Sequence, residues 1–383
     1  MDLRWSDEQR ALREEATAFA AALRPQLEDD PEWRRQGMLS DGDSREVTRA
    51  LGAAGWIGMT WPEELGGRGF SHVDAALVED VLGYHWLPLS LYLLSYKTIG
   101  CALERHGSPE LKERLLGPIA RGELTFCQGF SEPGAGSDLA SLTTRAVRRG
   151  DAWIVDGHKI WTSSAWLADW IYLAVRTNPD EPRHRGISVL VAPLDTPGIE
   201  VRRFPVLGGG YLCEVYLDGV EIPAENLVGE VDRGWDVLMH TLDFERITAE
   251  KLGGLEWVLD ALDFRLDETE RPESEWWPRI AHLKGELAAA RLLSLRAADL
   301  IDRGEPASSA SAMAKLAGAR LAQRLSREGI DLLGLEGLAD GHPSAPLEGR
   351  LAGLYRASVG STISGGSAEI LQLVIARRGL GLR

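Results

Sequence analysis

The hydrophobic period changes twice along this chain, and that change limits its architecture more than any other feature. From residue 1 to about 124, apolar residues recur at helical spacing, in amphipathic runs such as Glu8 to Leu23 and Ser44 to Gly55 broken by Gly and Pro. Between about Phe126 and Val228 the period falls to two, as in Trp153-Ile154-Val155, Ile171 to Val175, Ile187 to Val191 and Glu214 to Leu217. From Gly234 onward long helical patterns return, rich in Ala and Leu at 281–301 and 311–335, with a last run at 368–378. This order predicts an α+β, mostly α protein. Its expected parts are an N-terminal helical domain (1–124), a middle antiparallel β-barrel-like domain (125–230) and a C-terminal four-helix bundle (231–383). Asp156-Gly157 and Asp218-Gly219 sit between apolar pairs, so both are expected as two-residue hairpin turns, favouring antiparallel pairing over a doubly wound parallel sheet. Asp7 and Ser44 are expected to cap helices, and Asp267 to Pro278 to form a polar connection.

Charge and composition remove several function classes. Among 383 residues, 58 are acidic and 42 basic, a formal charge of −16 and the wrong sign for a nucleic-acid partner. The longest apolar stretch, Trp86 to Leu103, is broken by Pro88 and Lys97 and falls short of the ~18 uninterrupted apolar residues of a membrane span, so no membrane partner is expected. The opening Met1 to Glu8 is acidic and lacks an apolar leader core, which predicts a cytoplasmic protein. Cys101, Cys127 and Cys213 lie too far apart in sequence to read as a disulfide framework or a thiolate zinc site, and no metal is expected. No Gly-x-Gly-x-x-Gly follows a strand, and Gly-Lys, His-Glu-x-x-His and Gly-x-Ser-x-Gly are absent, so nucleotide hydrolysis, zinc proteolysis and serine hydrolysis lack their parts.

Two stretches carry chemistry. The first, Phe126 to Asp138, holds Ser131-Glu132-Pro133-Gly134-Ala135-Gly136-Ser137, and the second runs Asp156-Gly157-His158-Lys159-Ile160-Trp161-Thr162-Ser163-Ser164. Pro133, Gly134 and Gly136 allow a flat ligand to approach the backbone closely, and Ser131, Ser137 and Ser163 offer hydroxyls and amides to its heteroatoms. In this order, and with the tail from Gly360 to Arg377, these motifs resemble the acyl-CoA dehydrogenase flavoproteins over nearly the whole chain. The resemblance implies FAD, with Ser131 at the pyrimidine edge of the flavin, Ser163 near N5, Trp161 beside the ring, and Gln128, Ser367 and Glu369 as further cofactor contacts. It also implies Ser137 and Arg246 as substrate contacts.

The resemblance implies a base as well, in an uncommon place. Many relatives carry it as the glutamate of a closing Tyr-Glu-Gly-Thr motif, but here that stretch reads Ile363-Ser364-Gly365-Gly366-Ser367, leaving Gly365 with only a backbone role. A subset, including the isovaleryl and long-chain enzymes, places glutamate on the first long C-terminal helix, where this chain has Leu242-Asp243-Phe244-Glu245-Arg246. Leu238, Leu242, Glu245, Ala249 and Leu252 are spaced 4, 3, 4 and 3, so Glu245 is expected to interrupt an apolar helical stripe, where desolvation raises a carboxyl toward the range of a general base. The implied reaction is α-proton abstraction from an acyl thioester, on coenzyme A or a carrier protein, with β-hydride transfer to flavin N5. The implied partners are an electron-transfer flavoprotein and further subunits in a homotetramer or heterotetramer. The family's usual FAD-diphosphate elements are missing from Glu270 to Trp277 and from Asp331 to Leu335. That absence keeps open a second reading, a non-catalytic or half-catalytic subunit of a heteromeric enzyme, beside a third in which the fold runs nitroalkane-oxidase or monooxygenase chemistry.

Overall fold

In a computed structural model, which describes residues 5–27, 43–269, 272–340 and 345–382, helices, strands and helices succeed one another as the periodicity predicts. The N-terminal helices are α1 (Asp7–Leu23), α2 (Arg45–Ala53), α3 (His72–Tyr84), α4 and α5 (Pro109–Ala120). α4 starts at Ser90–Tyr92 and runs through a π-helical stretch, Leu93–Gly100, into Cys101–His106. Ser44 caps α2 by accepting the Val47 N–H at 3.1 Å. Asp7 is not the cap of α1. Ser6 accepts the Gln9 N–H at 3.1 Å while the Gln9 side chain accepts the Ser6 N–H at 3.2 Å, and this reciprocal pair leaves Asp7 as the first helical residue.

The middle strands are β1 (Phe126–Gly129), β2 (Arg145–Arg149), β3 (Ala152–Thr162), β4 (Trp170–Arg176), β5 (Ile187–Pro193), β6 (Ile199–Pro205), β7 (Tyr211–Pro223) and β8 (Leu227–Val228). They form one sheet in the order β6-β7-β3-β2-β4-β5-β8, with β1 added on β4. Most pairings are antiparallel, but β1 runs parallel to β4, with Phe126 opposite Trp170, and Arg145 meets Arg176 in a parallel contact. Ile171 to Val175 are all buried, as suits a strand paired on both edges and covered on both faces.

Neither Asp-Gly pair makes the hairpin turn expected of it. Both lie inside long strands, at the register shift where β3 passes β7 between Val155 and Gly157. Asp156 accepts the Gly219 N–H at 2.7 Å, Gly219 takes φ +59°, and a Cβ at Gly157 would stand 2.4 Å from Thr144 Oγ1. Asp-Gly serves a bulge here, for the same reason it serves turns: glycine tolerates left-handed backbone and close approach. The β2–β3 link is made instead at Gly150-Asp151.

The C-terminal part comprises α6 (Gly234–Glu245), α7 (Ala249–Asp267), α8 (Glu273–Asp302), α9 (Ser308–Leu333), α10 (Arg350–Ser361) and α11 (Ala368–Val374), the last running on as a π-turn over Ile375–Gly379. Leu255, Leu259 and Leu262 of α7 pack with Ile280, Leu283 and Leu287 of α8, Leu321 and Leu325 of α9, and Leu351 and Leu354 of α10. Pro278, expected in a connection, lies inside α8, which begins at Glu273. α3 and α7 cross in backbone contact: a Cβ at Gly83 would stand 1.8 Å from the Glu250 carbonyl oxygen, and one at Gly253 1.8 Å from that of Asp80. Buried Lys97 of α4 reaches Glu79 of α3, Glu250 of α7 and the Ile247 carbonyl, and Arg291 of α8 bridges Asp80 and Glu256 at 2.8 and 2.7 Å. Among the described residues no helix is long and apolar enough to cross a membrane.

Candidate active site

The two motifs of the middle domain are held together by an ion pair that the sequence reading passed over. Glu132, in the glycine-containing loop after β1, accepts the Thr143 N–H and hydroxyl at 2.7 Å each, and the Thr144 N–H and Lys159 Nζ at 2.8 Å each. Lys159 also donates to the Phe130 carbonyl at 3.1 Å and is fully buried. Burial alone would raise the Glu132 carboxyl, but the Lys159 charge and the four hydrogen bonds outweigh it and hold it at about 2. Burial brings Lys159 down to about 8 against the pull of Glu132. The signal in the sequence was a lysine at an inward position of a period-two segment, matched by an acid beside a glycine loop.

On this scaffold the surroundings fit a flat heteroaromatic ring. Trp161 is 57% exposed and adopts φ +60°, with Phe204 edge-on at 5.4 Å. Ser164, buried and at φ +63°, bonds Ser90 at 2.7 Å and Asp43, fixing the turn that contains half-buried Ser163. Two non-glycine residues in left-handed backbone cost of order 1–2 kcal/mol each, and such strain concentrates at ligand sites. Gln128 Oε1 and Thr162 Oγ1 are buried without a partner. A Cβ at Gly134 or Gly136 would touch nothing within 4 Å, so the protein's own packing does not demand glycine there. Polar atoms awaiting donors, an outward indole and open glycines suit the isoalloxazine of FAD. Ser131 lies at the start of the loop, its carbonyl accepting the Ile160 N–H at 2.9 Å, and Ser137 is exposed.

Four of the expected residues meet where the middle and C-terminal domains face each other. Gln128 Nε2 donates to Glu245 Oε2 at 3.3 Å. The other carboxylate oxygen of Glu245 lies 3.1 Å from where a Cβ at Gly365 would stand. Arg246 Nε donates to the Gly365 carbonyl at 3.1 Å and its guanidinium lies 3.6 Å from Asp243. Arg246 is buried at 5% exposure, so its contact is with this loop rather than an open substrate face. Lys315 Nζ donates to the Gly366 carbonyl at 2.9 Å, and burial, reinforced by Lys251 and Arg246, brings it down to about 8. The continuous apolar stripe expected through Glu245 is interrupted: α6 ends at Glu245 and α7 begins at Ala249. Lys97 takes up the Ile247 carbonyl freed by that break, and Glu245 sits half-buried on the last residue of its helix. Ser367 and Glu369 lie apart from this cluster in role. Ser367 caps α11 by accepting the Ile370 N–H at 3.3 Å, and Glu369 is exposed. Of the diphosphate region, Glu270 and Arg271 lie outside the described residues, and Leu335 is 89% exposed.

Family descriptions of the acyl-CoA dehydrogenase N-terminal, middle and C-terminal domains match residues 6–123, 127–220 and 232–380. Acyl-CoA dehydrogenase FadE26 of Mycobacterium tuberculosis is 33% identical over 400 residues, covering 100% of this chain and 99% of the relative. The short-chain specific mitochondrial enzyme of Rattus norvegicus is 30% identical over 86% of this chain and 81% of its own. Among solved structures, the Tcur3481-Tcur3483 steroid ACAD superimposes with a TM-score of 0.90 at 34% identity, covering 100% of both chains. The ChsE4-ChsE5 complex from Mycobacterium tuberculosis gives 0.89 at 31%, also covering 100% of both. With three family domains in unbroken succession and a flavin-compatible site between the second and third, the chain belongs to the acyl-CoA dehydrogenase family, enzymes whose cofactor is FAD.

Proposed function

We propose that this chain oxidises an acyl thioester to the α,β-unsaturated thioester, with Glu245 as the base. The supporting observation is spatial: the Glu245 carboxylate stands 3.1 Å from where a side chain at position 365 would begin, so the helix-borne acid fills the place left by the missing loop acid. Glu245 takes the Cα proton; the electron pair of that C–H bond becomes the new C=C bond. Bound FAD supplies the hydride acceptor for the hydrogen leaving Cβ. Gln128 holds one carboxylate oxygen and leaves the other toward the Gly365 loop, and Trp161 offers an aromatic face at the mouth of the site. Ser131 and Ser163 serve the ring's heteroatoms, and an electron-transfer flavoprotein would reoxidise the cofactor. The test is stopped-flow bleaching of the flavin by acyl-CoA substrates in Glu245→Gln. A positioned base contributes ~10²–10⁴-fold and no second carboxylate stands at Gly365, so reduction falls by that amount while the flavin spectrum is retained. Bleaching at the wild-type rate refutes the assignment.

A second reading rests on a separate observation. The usual diphosphate elements are absent, and the steroid ACAD and ChsE4-ChsE5 structures are named as pairs of chains. In that reading this chain shares its flavins with a paralogous subunit. Flavin content of the chain purified alone and after co-expression separates the two.

A further inference from the structure

Lys97, Glu79 and Glu250 form a buried charge cluster beside the break between α6 and α7. Lys97 Nζ donates to Glu79 of α3, to the Ile247 carbonyl and to Glu250 of α7, the last at 3.3 Å. An ammonium has three N–H bonds and three acceptors meet it, so every donor is engaged. All three side chains are buried, and apolar residues of similar volume often stabilise a fold as well as a buried ion cluster does. Stability alone is therefore a weak reason for the cluster. Lys97 also lies in the π-helical stretch Leu93–Gly100 of α4, a rare geometry that recurs at functional sites. The backbone group that this lysine holds lies two residues past Glu245. α6 ends at Glu245 and α7 begins at Ala249, so the Ile247 carbonyl belongs to the short break that sets where the first helix stops and the second starts.

We propose that Lys97, held in place by Glu79 and Glu250, is a positioning residue that fixes the chain just past Glu245 and so aims its carboxylate at the Cα proton. This rests on the reading of Glu245 as the base and adds what keeps that base in register. Gln128 reaches the carboxylate from the sheet at 3.3 Å, and Lys97 holds the backbone behind it, so the acid is restrained at both ends. With the carbonyl released, the break can shift, and a base on the last residue of its helix shifts with it.

The experiment uses the FAD-loaded protein and stopped-flow bleaching of the flavin at saturating acyl-CoA. Lys97→Met combined with Glu79→Gln removes one cation and one anion together, and leaves Glu250 in the first turn of α7, where a helix N-terminus favours an anion. In that double variant the limiting rate falls about tenfold, a fraction of the ~10²-fold that a 1 Å misplacement costs. Affinity for a non-oxidisable thioether analogue of the substrate changes by less than about twofold, since the loss lies in the reaction and not in binding. Placed on Glu245→Gln, the same pair of changes leaves the slow residual rate within about twofold, because a residue that acts by aiming the carboxylate has nothing left to aim. Glu79→Gln alone lowers the rate by about threefold and serves if the double variant does not fold. An unchanged rate in either folded variant, a matching loss of thioether affinity, or an equal loss on the wild-type and Glu245→Gln backgrounds overturns the proposal. Failure of the base reading shows separately, as bleaching at the wild-type rate in Glu245→Gln alone.

Discussion

Replacing Glu132 by Gln changes one oxygen to NH2 and should still be among the most damaging single changes in the middle domain. The carboxylate accepts four hydrogen bonds, two at each oxygen: the Thr143 N–H and hydroxyl at one, the Thr144 N–H and Lys159 at the other. An amide has a single acceptor oxygen, so in either orientation its NH2 faces a pair of donors. Lys159, fully buried, is left without its counter-charge. Breaking a buried pair from one side costs about 3–5 kcal/mol. A second route to the magnitude agrees. The lysine can escape by losing its proton, and taking a group of ordinary pKa 10.5 to neutrality at pH 7 costs about 5 kcal/mol at ~1.4 kcal/mol per unit, which caps the penalty. For a cooperative unit of about 150–250 residues, larger than the middle domain alone, that corresponds to a fall in Tm of roughly 6–20 °C. Differential scanning fluorimetry on holo and apo protein measures it, with flavin release on dilution as a second readout, because the pair ties the glycine loop to the strand that presents Trp161. The double variant Glu132→Gln, Lys159→Met should recover much of the loss, since removing both partners leaves no uncompensated charge. A single variant melting within about 2 °C of wild type, or a double variant no better than the single, would show that the pair is incidental.

Three other outcomes follow from the same geometry. Gly365→Glu should impair turnover, because φ +64° disfavours a side chain and the new acid would begin 3.1 Å from Glu245 and raise the pKa of the pair. Combined with Glu245→Gln it should recover some activity on short straight acyl groups, and no recovery at any chain length would mean the loop does not lie over substrate. Glu132 contributes stability that is fully present above about 4.5, its ordinary value, and is lost as pH falls toward about 2, so an acid titration of the wild-type melt should show a loss across that window that Glu132→Gln lacks. Light scattering should give about four times 41.9 kDa with close to one flavin per chain for a self-sufficient homotetramer, whereas a flavin-poor chain that turns yellow only with a paralogous partner would establish the heteromeric reading.

Element type was legible wherever periodicity was sustained. The three-part order and the long helices of the bundle follow from spacing alone, because burial of one face enforces the period, whereas the mostly antiparallel sheet agrees with expectation without the Asp-Gly hairpins that favoured it. Local punctuation was less legible. An Asp-Gly pair reads as a turn, yet both pairs form a bulge, because what glycine offers is conformational freedom and partners far along the chain decide its use. The apolar stripe through Glu245 looked continuous since a helix break of three residues leaves the spacing nearly undisturbed. Within the site, Gln128, Glu245 and Gly365 come together, although the sequence offered Gln128 only as a cofactor contact. Glu132, Lys159 and Lys315 escaped notice because charged residues buried by long-range pairing have no short-range signature.

The crossing of α3 and α7 alters how the three domains should be counted. At Gly83 and Gly253 the two helices touch main chain to main chain, and not even a methyl group fits between them. Around that point Lys97 and Arg291 cross-link four helices drawn from both ends of the sequence. Mechanically these links join the N-terminal and C-terminal helices, and the sheet packs on them through a shared core that includes Phe126, Tyr172, Ile187 and Val189. Since Glu245 and the Gly365 loop ride on the C-terminal helices while Gln128 and Trp161 ride on the sheet, any displacement of the sheet against the helices would register in the 3.3 Å contact between Gln128 and Glu245.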